Sequence, residues 1–513
     1  MKKTILVALI LTTGFSLSSC DDFLTEENPN AIAVTDYFST ETDVEKAVNG
    51  AYLAIRSDEC MGEGSTLYTE ERSDNTGRID DSSSSGEPFQ FTNFSLLSSN
   101  TYLKSHWDAM FLAVSNSNFA LAGTDIVTFD DEEDRINYIA EARFIRALAY
   151  FDIVRKWGDA PLIDTYLYTS DEVTEHTYRV DQSEIYELIV EDLKYGLEES
   201  SLSEITSEGE KGHACKAAMS GLLGKVYLTM AHVLDDGNST SYLNSAVDYL
   251  LECYNMRTFD SLSEITYDDD ESTGLFSVAN KSKCPEIIFQ IVYIQGDEDY
   301  SSSVARDNQS EGITINSQYE SSGRGTYVNT DLINEYETGD ARKDYSVVYA
   351  PSYSSWNITK FRDTSDAAGT LGYGGNDWII LRYADVILML AEAYNELGET
   401  DEAISYLNQV RERAGLADYN TSMQDSEYAS NYPTLKLAIL HERRVELAFE
   451  NQRWYDLLRF FSTEELIEYM HAKNGDDYGI SNLDNFTSKD IYYPIPYEEY
   501  LLNPEGMYQN PGY

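Results

Sequence analysis

Between Arg135 and Trp157 the apolar residues Phe144, Leu148, Phe151 and Val154 recur at steps of three and four, while Ala142, Ile145, Ala149 and Ile153 mark a second apolar face. The spacing predicts a helix, and a helix apolar on two sides packs between other helices. Gly158-Asp159-Ala160-Pro161 predicts its end, because Gly reaches the backbone conformation of a helix stop and Pro cannot continue one. The same periodicity predicts helices over 41–55, 183–199, 213–233, 242–256, 379–398, 400–414, 434–450 and 453–470.

Residues 380–416 (ILRYADVILMLAEAYNELGETDEAISYLNQVRERAGL) form the clearest internal unit. Small Ala384, Ala391 and Ala403, with Tyr394 and Gly398 at the turn, resemble a tetratricopeptide helix pair, in which small side chains let two antiparallel helices approach. Residues 213–231 and 242–256 repeat the plan more loosely. Stacked hairpins of this kind predict a protein-binding or scaffolding surface. From 257 to 378 the helical period fades, and Gly, Ser, Tyr and Asp gather around one strand-like run, Glu286 to Tyr293. This stretch reads as long excursions laid over a helical scaffold, and loops on a rigid frame are where binding concentrates. Arg56 to Phe94 is also rich in Gly, Ser and Asp, with SSSSG at 82–86, and is too long for an idle connector.

Charge narrows the function. The 513 residues carry 36 Lys+Arg against 90 Asp+Glu, a formal net charge of −54. So acidic a chain cannot neutralise phosphates, and nucleic acid is excluded as a partner. With 42% hydrophobic and 25% charged residues the acidity sits on a folded surface. Five Cys at 20, 60, 215, 253 and 284, with no CxxC pair, and six scattered His give neither a zinc framework nor a disulfide scaffold.

The first twenty residues read as an address. Lys2 and Lys3 form a basic start, Ile5 to Leu11 an apolar stretch, and Leu17-Ser18-Ser19-Cys20 resembles the bacterial lipobox, in which the Cys becomes the acylated N-terminus. Residues 1–19 are then a signal peptide, 20–35 a lipidated tether broken by Pro29, 36–256 an N-terminal helical region and 257–513 a C-terminal region. Several acyl chains anchor a protein stably to a membrane, and no later segment reaches the roughly 18 uncharged apolar residues of a spanning helix.

Catalytic chemistry is not found. His441-Glu442-Arg443-Arg444-Val445 begins like a HExxH zinc site but has Val where the second ligand belongs. Gly369 to Gly375 lacks the Lys-Ser/Thr of a P-loop, and no GxSxG elbow occurs. The acidic runs Asp130–Asp134 and Asp268–Glu271 read as solvated charge, with a structural calcium ion as the alternative, although neither has EF-hand spacing. In excess instead is Tyr, 40 against 19 Phe. Tyr offers a flat apolar face and a hydroxyl, the combination that stacks on sugar rings and bonds their hydroxyls. Tyr150, Tyr227 and Tyr394 lie inside helices and read as packing. Trp107, Trp157 and Trp454 lie on or at the end of helices and Trp378 begins one, so these four read as core. Trp356, in the irregular stretch Tyr353-Ser354-Ser355-Trp356, reads as an exposed stacking platform.

Several segments together resemble the SusD/RagB family of outer-membrane nutrient-binding lipoproteins. They are the lipobox followed by CDDFL, EARFIRALAYFDIVRKWGDAPLI (141–163), ILRYADVILMLAEAYNELG (380–398), ERRVELAFENQRWYDLLRF (442–460) and YYPIPYEEYLLNPEGMYQNPGY (492–513). The resemblance implies a mostly α fold: tetratricopeptide-like hairpins as scaffold, with long irregular loops and a few short strands carrying the ligand site. It implies glycan capture, without catalysis or cofactor, on the outer face of the outer membrane, as a lid over a SusC-like TonB-dependent transporter. It also implies that Asp21 and Asp22 form a surface-export signal. The family's ligand residues vary, so the site is placed by region, in loops 70–105 and 295–360. There Trp356 and Tyr353 are expected to form one wall, Tyr327 and Tyr319 to extend it, and Arg324, Asp74, Asn75 and Arg78 to reach sugar hydroxyls. The alternatives are a surface glycoside hydrolase, a helical-repeat adaptor that binds protein only, and capture of peptide or another nutrient.

Overall fold

Eleven helices of eight residues or more stand among the residues described by the computed structural model, which are 34–78, 86–208, 211–309, 312–319, 326–351, 354–473 and 483–513. The first eight are α1 (Glu41–Ile55), α2 (Thr101–Ile126), α3 (Glu132–Trp157), α4 (Gln182–Glu199), α5 (Lys216–Val233), α6 (Ser239–Asn255), α7 (Tyr383–Glu396) and α8 (Thr400–Arg413). Each packs against the next in chain order, which makes a mostly helical stack of hairpins, and α9 (Leu435–Glu446) closes on α7 and α8. Among the described residues no helix is long and apolar enough to cross a membrane.

Local chemistry sets the ends. Asp131 caps α3 by accepting the Glu133 N–H at 2.9 Å, with Glu132, Glu133 and Asp134 in the first turn, where the helix dipole favours negative charge. One acidic run is therefore a helix start. The other is a turn: Asp270 Oδ1 accepts from the backbone and side chains of Ser272 and Thr273, which draws its pKa down to about 2. α3 stops at Gly158, whose φ of 69° favours glycine. Close packing also needs a missing side chain: a Cβ on Gly224 of α5 would lie 2.5 Å from Leu250 Cγ of α6.

The periodicity does not delimit α2, whose buried residues, from Leu103 to Thr124, face α1 on one side and α3 on the other. Nor does it resolve 453–470, which divides into α10 (Arg453–Phe460) and α11 (Thr463–His471) at Ser462, the capping-box partner of Glu465. Trp378 begins a strand and not a helix. It opens β6 (Trp378–Arg382), which pairs antiparallel with β2 (Ile287–Ile291), the strand-like run of the sequence, before α7 starts at Tyr383. β-Branched Ile379 and Ile380, with a partner strand some ninety residues upstream, outweigh the apolar run that read as helix. Trp378 is still buried, as are Trp107, Trp157 and Trp454.

The remaining strands form a four-stranded antiparallel sheet in the order β1 (Thr76–Arg78), β3 (Thr326–Val328), β5 (Ser355–Ile358), β4 (Val347–Ala350). The apolar core is continuous from α1 through the excursion residues Phe276, Tyr345 and Ile358 to the C-terminal segment at Met507.

A seam of buried charge joins the excursions to the helices. In α9, Glu446 Oε1 accepts from Arg382 Nη1 at 2.7 Å and from Arg413 Nη2 at 2.6 Å, and its Oε2 accepts from Arg342 Nη1 at 3.1 Å and the Tyr267 hydroxyl at 2.5 Å. Glu286 on the excursion side binds the same Arg382, at 2.8 Å, and Arg413. Glu450 completes the cluster on Arg382 Nε and Lys360, at 2.7 and 2.5 Å. A helix as charged as α9 is buried here because each charge meets its opposite, the condition for removing an ion from water.

Candidate functional site

The four-stranded sheet presents the open aromatic surface that the excursions frame. Cross-strand partners point to the same face, and successive residues alternate. The register Val328↔Trp356 and Tyr349↔Trp356 therefore puts Trp356 and Tyr349 on one face. Their rings meet edge to face at 5.4 Å, Trp356 half-buried against the core and Tyr349 44% exposed on the edge strand β4. Tyr327, one residue before Val328, points to the opposite face and is buried, so it does not extend a wall begun by Trp356. That corrects the expectation, and the pleat is the reason. Arg78 shares the Trp356 face, its guanidinium fastened to Glu71 at 2.6 and 3.2 Å and its side chain 29% exposed.

Asp74 and Asn75 are corrected more fully, because both are wholly buried. Asp74 accepts from Arg453 at 2.7 and 2.9 Å and from the Tyr469 hydroxyl at 2.8 Å, with Arg444 at 3.2 Å. Burial alone would push its carboxyl up; Arg444 and Arg453 outweigh that and hold it well below the ordinary range. Asn75 Nδ2 donates to Glu70 and its Oδ1 accepts from Arg444, both at 2.9 Å. These residues fasten the chain between α1 and α2 to α9 and α10 and have nothing left for a ligand. From Glu70 to Thr76 that chain runs through the interior, and from Thr101 it is helix. Tyr353, Arg324 and Cys20, the residue expected to be lipidated, lie outside the described residues.

Tyr319 is 39% exposed, with the Arg306 guanidinium 6.0 Å from its ring centre. Gln309 holds its loop: Nε2 donates to the carbonyls of Ser317 and Tyr319 at 3.1 and 2.8 Å, and Oε1 accepts from the Asn316 and Ser317 N–H groups. Asn316 Nδ2 donates to the Ile358 carbonyl at 2.7 Å, which pins this loop to β5 two residues beyond Trp356. Tyr300, 40% exposed, carries Arg56 at 4.3 Å. Its turn is tied to the 373–374 segment by Gly296 N–H to Tyr373 O at 2.9 Å and Ser302 N–H to Gly374 O at 2.7 Å. A buried latch holds that turn from below, where Glu63 accepts from the Ser302 hydroxyl and the Ser303 N–H. Burial pushes the Glu63 carboxyl up to about 7, although both bonds favour its charged form.

Sequence reasoning missed Tyr349, Tyr300, Arg306 and Arg56. For Tyr349 a signal existed in the β-branched and aromatic run Val347-Val348-Tyr349, which favours a strand; for the others the arginine is not adjacent to its tyrosine in the chain.

Among the described residues, Glu337, His441 and Glu442 bring ligand atoms within 4.8 Å of one another. They fit a metal poorly. Glu442 accepts from Arg342 at 2.6 Å and Arg411 at 3.0 Å, and Glu337 accepts from Arg411 at 2.8 Å, so two guanidiniums occupy the place of a cation.

The comparisons with known proteins agree with this architecture. The SusD family model matches residues 341–513, and a second SusD-like model, described as starch-binding and associating with the outer membrane, matches residues 22–228. SusD-like protein P2 of Formosa agariphila is 28% identical over 545 residues, an alignment that covers 100% of this chain and 99% of that protein. A SusD superfamily protein of Parabacteroides distasonis has the same fold at a TM-score of 0.73 and 24% identity, covering 92% of this chain and 99% of that one. Surface glycan-binding protein A of Bacteroides thetaiotaomicron, solved in complex with laminarihexaose, aligns at a TM-score of 0.74 and 19% identity over 92% of this chain and 100% of its own.

Proposed function

The chain belongs to the SusD/RagB family, and from that premise we propose that it captures a glycan at the cell surface without cleaving it and passes it to a SusC-like TonB-dependent outer-membrane transporter. Cys20 carries the lipid anchor, and Asp21 and Asp22 direct the protein to the outer face. The observation that carries the reading is the half-open Trp356–Tyr349 pair on a sheet edge, in a protein whose other four Trp are all buried. A flat ring held on a paired strand and still partly open to solvent is what stacking on a sugar requires. Tyr319 with Arg306 and Tyr300 with Arg56 add rings beside guanidiniums; Arg306 gives Nε and Nη2 to Asp307 and Arg56 gives Nη2 to the Asp299 carbonyl, and their other N–H groups suit hydroxyl and ring oxygens.

The test is calorimetry and saturation-transfer NMR of the full chain against neutral hexaoses, laminarihexaose first because a structural neighbour holds it. Binding that weakens several-fold or more on Trp356→Ala, with no shortening of the oligosaccharide over a day, supports the reading. Turnover would make the protein a hydrolase, and tight binding of peptides with none of sugars would replace the ligand class.

A further inference from the structure

Of the eighteen large apolar side chains exposed among the described residues, six lie on or beside the 497–508 segment: Leu97, Tyr178, Tyr497, Leu501, Leu502 and Tyr508. Leu97, Leu501 and Leu502 are 56%, 53% and 67% exposed. Hydrogen bonds knit the patch together. Tyr497 N–H donates to the Ser98 carbonyl at 2.8 Å, Asn503 Nδ2 to the Thr177 carbonyl at 2.8 Å, and Arg179 N–H to the Gly506 carbonyl at 3.0 Å. Arg179 also donates to the Tyr508 carbonyl at 2.6 Å and lies 4.4 Å from that ring. These bonds hold the segment in place with Leu501 and Leu502 exposed.

Monomeric proteins leave such patches open where something docks. The rim says what. Asp171, Glu175, Glu498 and Glu505 surround the patch and are exposed, and the neighbouring Lys104 is taken by Asp108 and Glu499 at 2.5 and 3.2 Å. A second copy would bring two acidic rims together in a chain of net charge −54, and an anionic lipid surface meets the same repulsion. We infer that this patch is the docking face for a partner protein whose surface is apolar at its centre and rimmed by Lys and Arg. It rests on the preceding reading in taking that partner to be the TonB-dependent transporter, and it places the contact on the 497–508 segment and not on the rings around Trp356.

The experiment uses the full lipidated chain with Leu501→Asp and Leu502→Asp together. Both residues stand on a short exposed helix, so the melting temperature and hexaose binding of the variant are expected to match wild type. From mild-detergent extracts, wild type is expected to bring down a TonB-dependent barrel, identified by peptide mass spectrometry. The variant is expected to recover about tenfold less or lower, and roughly 0.5 M salt to weaken the wild-type complex. Equal recovery by the variant would overturn the docking face and leave the partner standing. No barrel with wild type would overturn the transporter reading and this inference with it. Sedimentation of wild type as a dimer that the variant abolishes would assign the patch to a second copy. Flotation of the unlipidated chain with phosphatidylglycerol vesicles, lost in the variant, would assign it to the membrane surface.

Discussion

The seam around α9 and the rim around Trp356 use the same residue types to opposite ends. In the seam, arginines and tyrosines are buried and meet acids on every side: Arg382 is bound by Glu286, Glu446 and Glu450, and the Tyr267 hydroxyl by Glu446. On the rim, Arg306 and Arg56 lie beside the partly exposed rings of Tyr319 and Tyr300, and Tyr349 covers only one edge of Trp356. The first arrangement fixes the excursions rigidly to the helices. The second leaves ring surface open to a ligand. Residue type alone does not separate a structural arginine from a binding one, and neither does having an acid as partner, since Arg306 pairs with Asp307 at 2.7 and 3.1 Å; how far the pair stands open to solvent does.

The sharpest way to break the comparison is at Glu446. Glu446→Ala leaves Arg382, Arg413 and Arg342 short of an acid in the interior, and denaturant unfolding should show a loss of about 3–5 kcal/mol, with aggregation on expression as the extreme result. A loss below about 1 kcal/mol would mean that water reaches the seam.

Second in size is the latch under Tyr300. The Glu63 pKa is raised to about 7, so the folded state holds a proton that the unfolded state has released by then. Its contribution to stability therefore falls as pH rises from the ordinary glutamate value, about 4.5, through 7, by an amount on the order of 2–3 kcal/mol. Glu337 has the opposite sign. Burial opposes its charge, but His441 and Arg411 draw its pKa down to about 2, so its contribution is present above about 4.5 and is lost as pH falls toward 2. Melting temperature against pH should peak near 4.5, where these two limbs meet, and Glu63→Gln should flatten the alkaline limb alone. An alkaline limb unchanged in that variant would remove Glu63 as its source.

Smaller still are the rim substitutions. Trp356→Ala should weaken hexaose binding by several-fold to about tenfold, and because the ring is half-buried it should also cost about 1–2 kcal/mol of stability. Tyr349→Ala separates the two effects: with an exposed ring on an edge strand, it should lower affinity a few-fold and leave the melting temperature within about 2 °C of wild type. A Tyr349→Ala variant that binds normally would move the site toward Tyr319 and Tyr300, where Arg306→Gln and Arg56→Gln are the next substitutions to read.

By itself the sequence determined the helical frame. A helix records its buried faces within a few turns of chain, so α3, α5 and the α7–α8 hairpin are written locally in Phe144 to Val154, Gly224 and Ala384 to Ala403, and the family segments lie along them. The site was legible only in part. Trp356 was marked by its irregular polar surroundings, but which face it shares was not, because that depends on pairing with Val328 and Tyr349. Only the tertiary structure decided that Trp378 starts a strand, since its partner, β2, lies some ninety residues away. It alone placed Asp74 and Asn75 inside, because the arginines that make their burial tolerable, Arg444 and Arg453, come from about 370 residues downstream. An isolated Asp or Arg in a sequence reads as surface because burying its charge alone is costly, and the opposite charge that removes the cost is supplied by the fold.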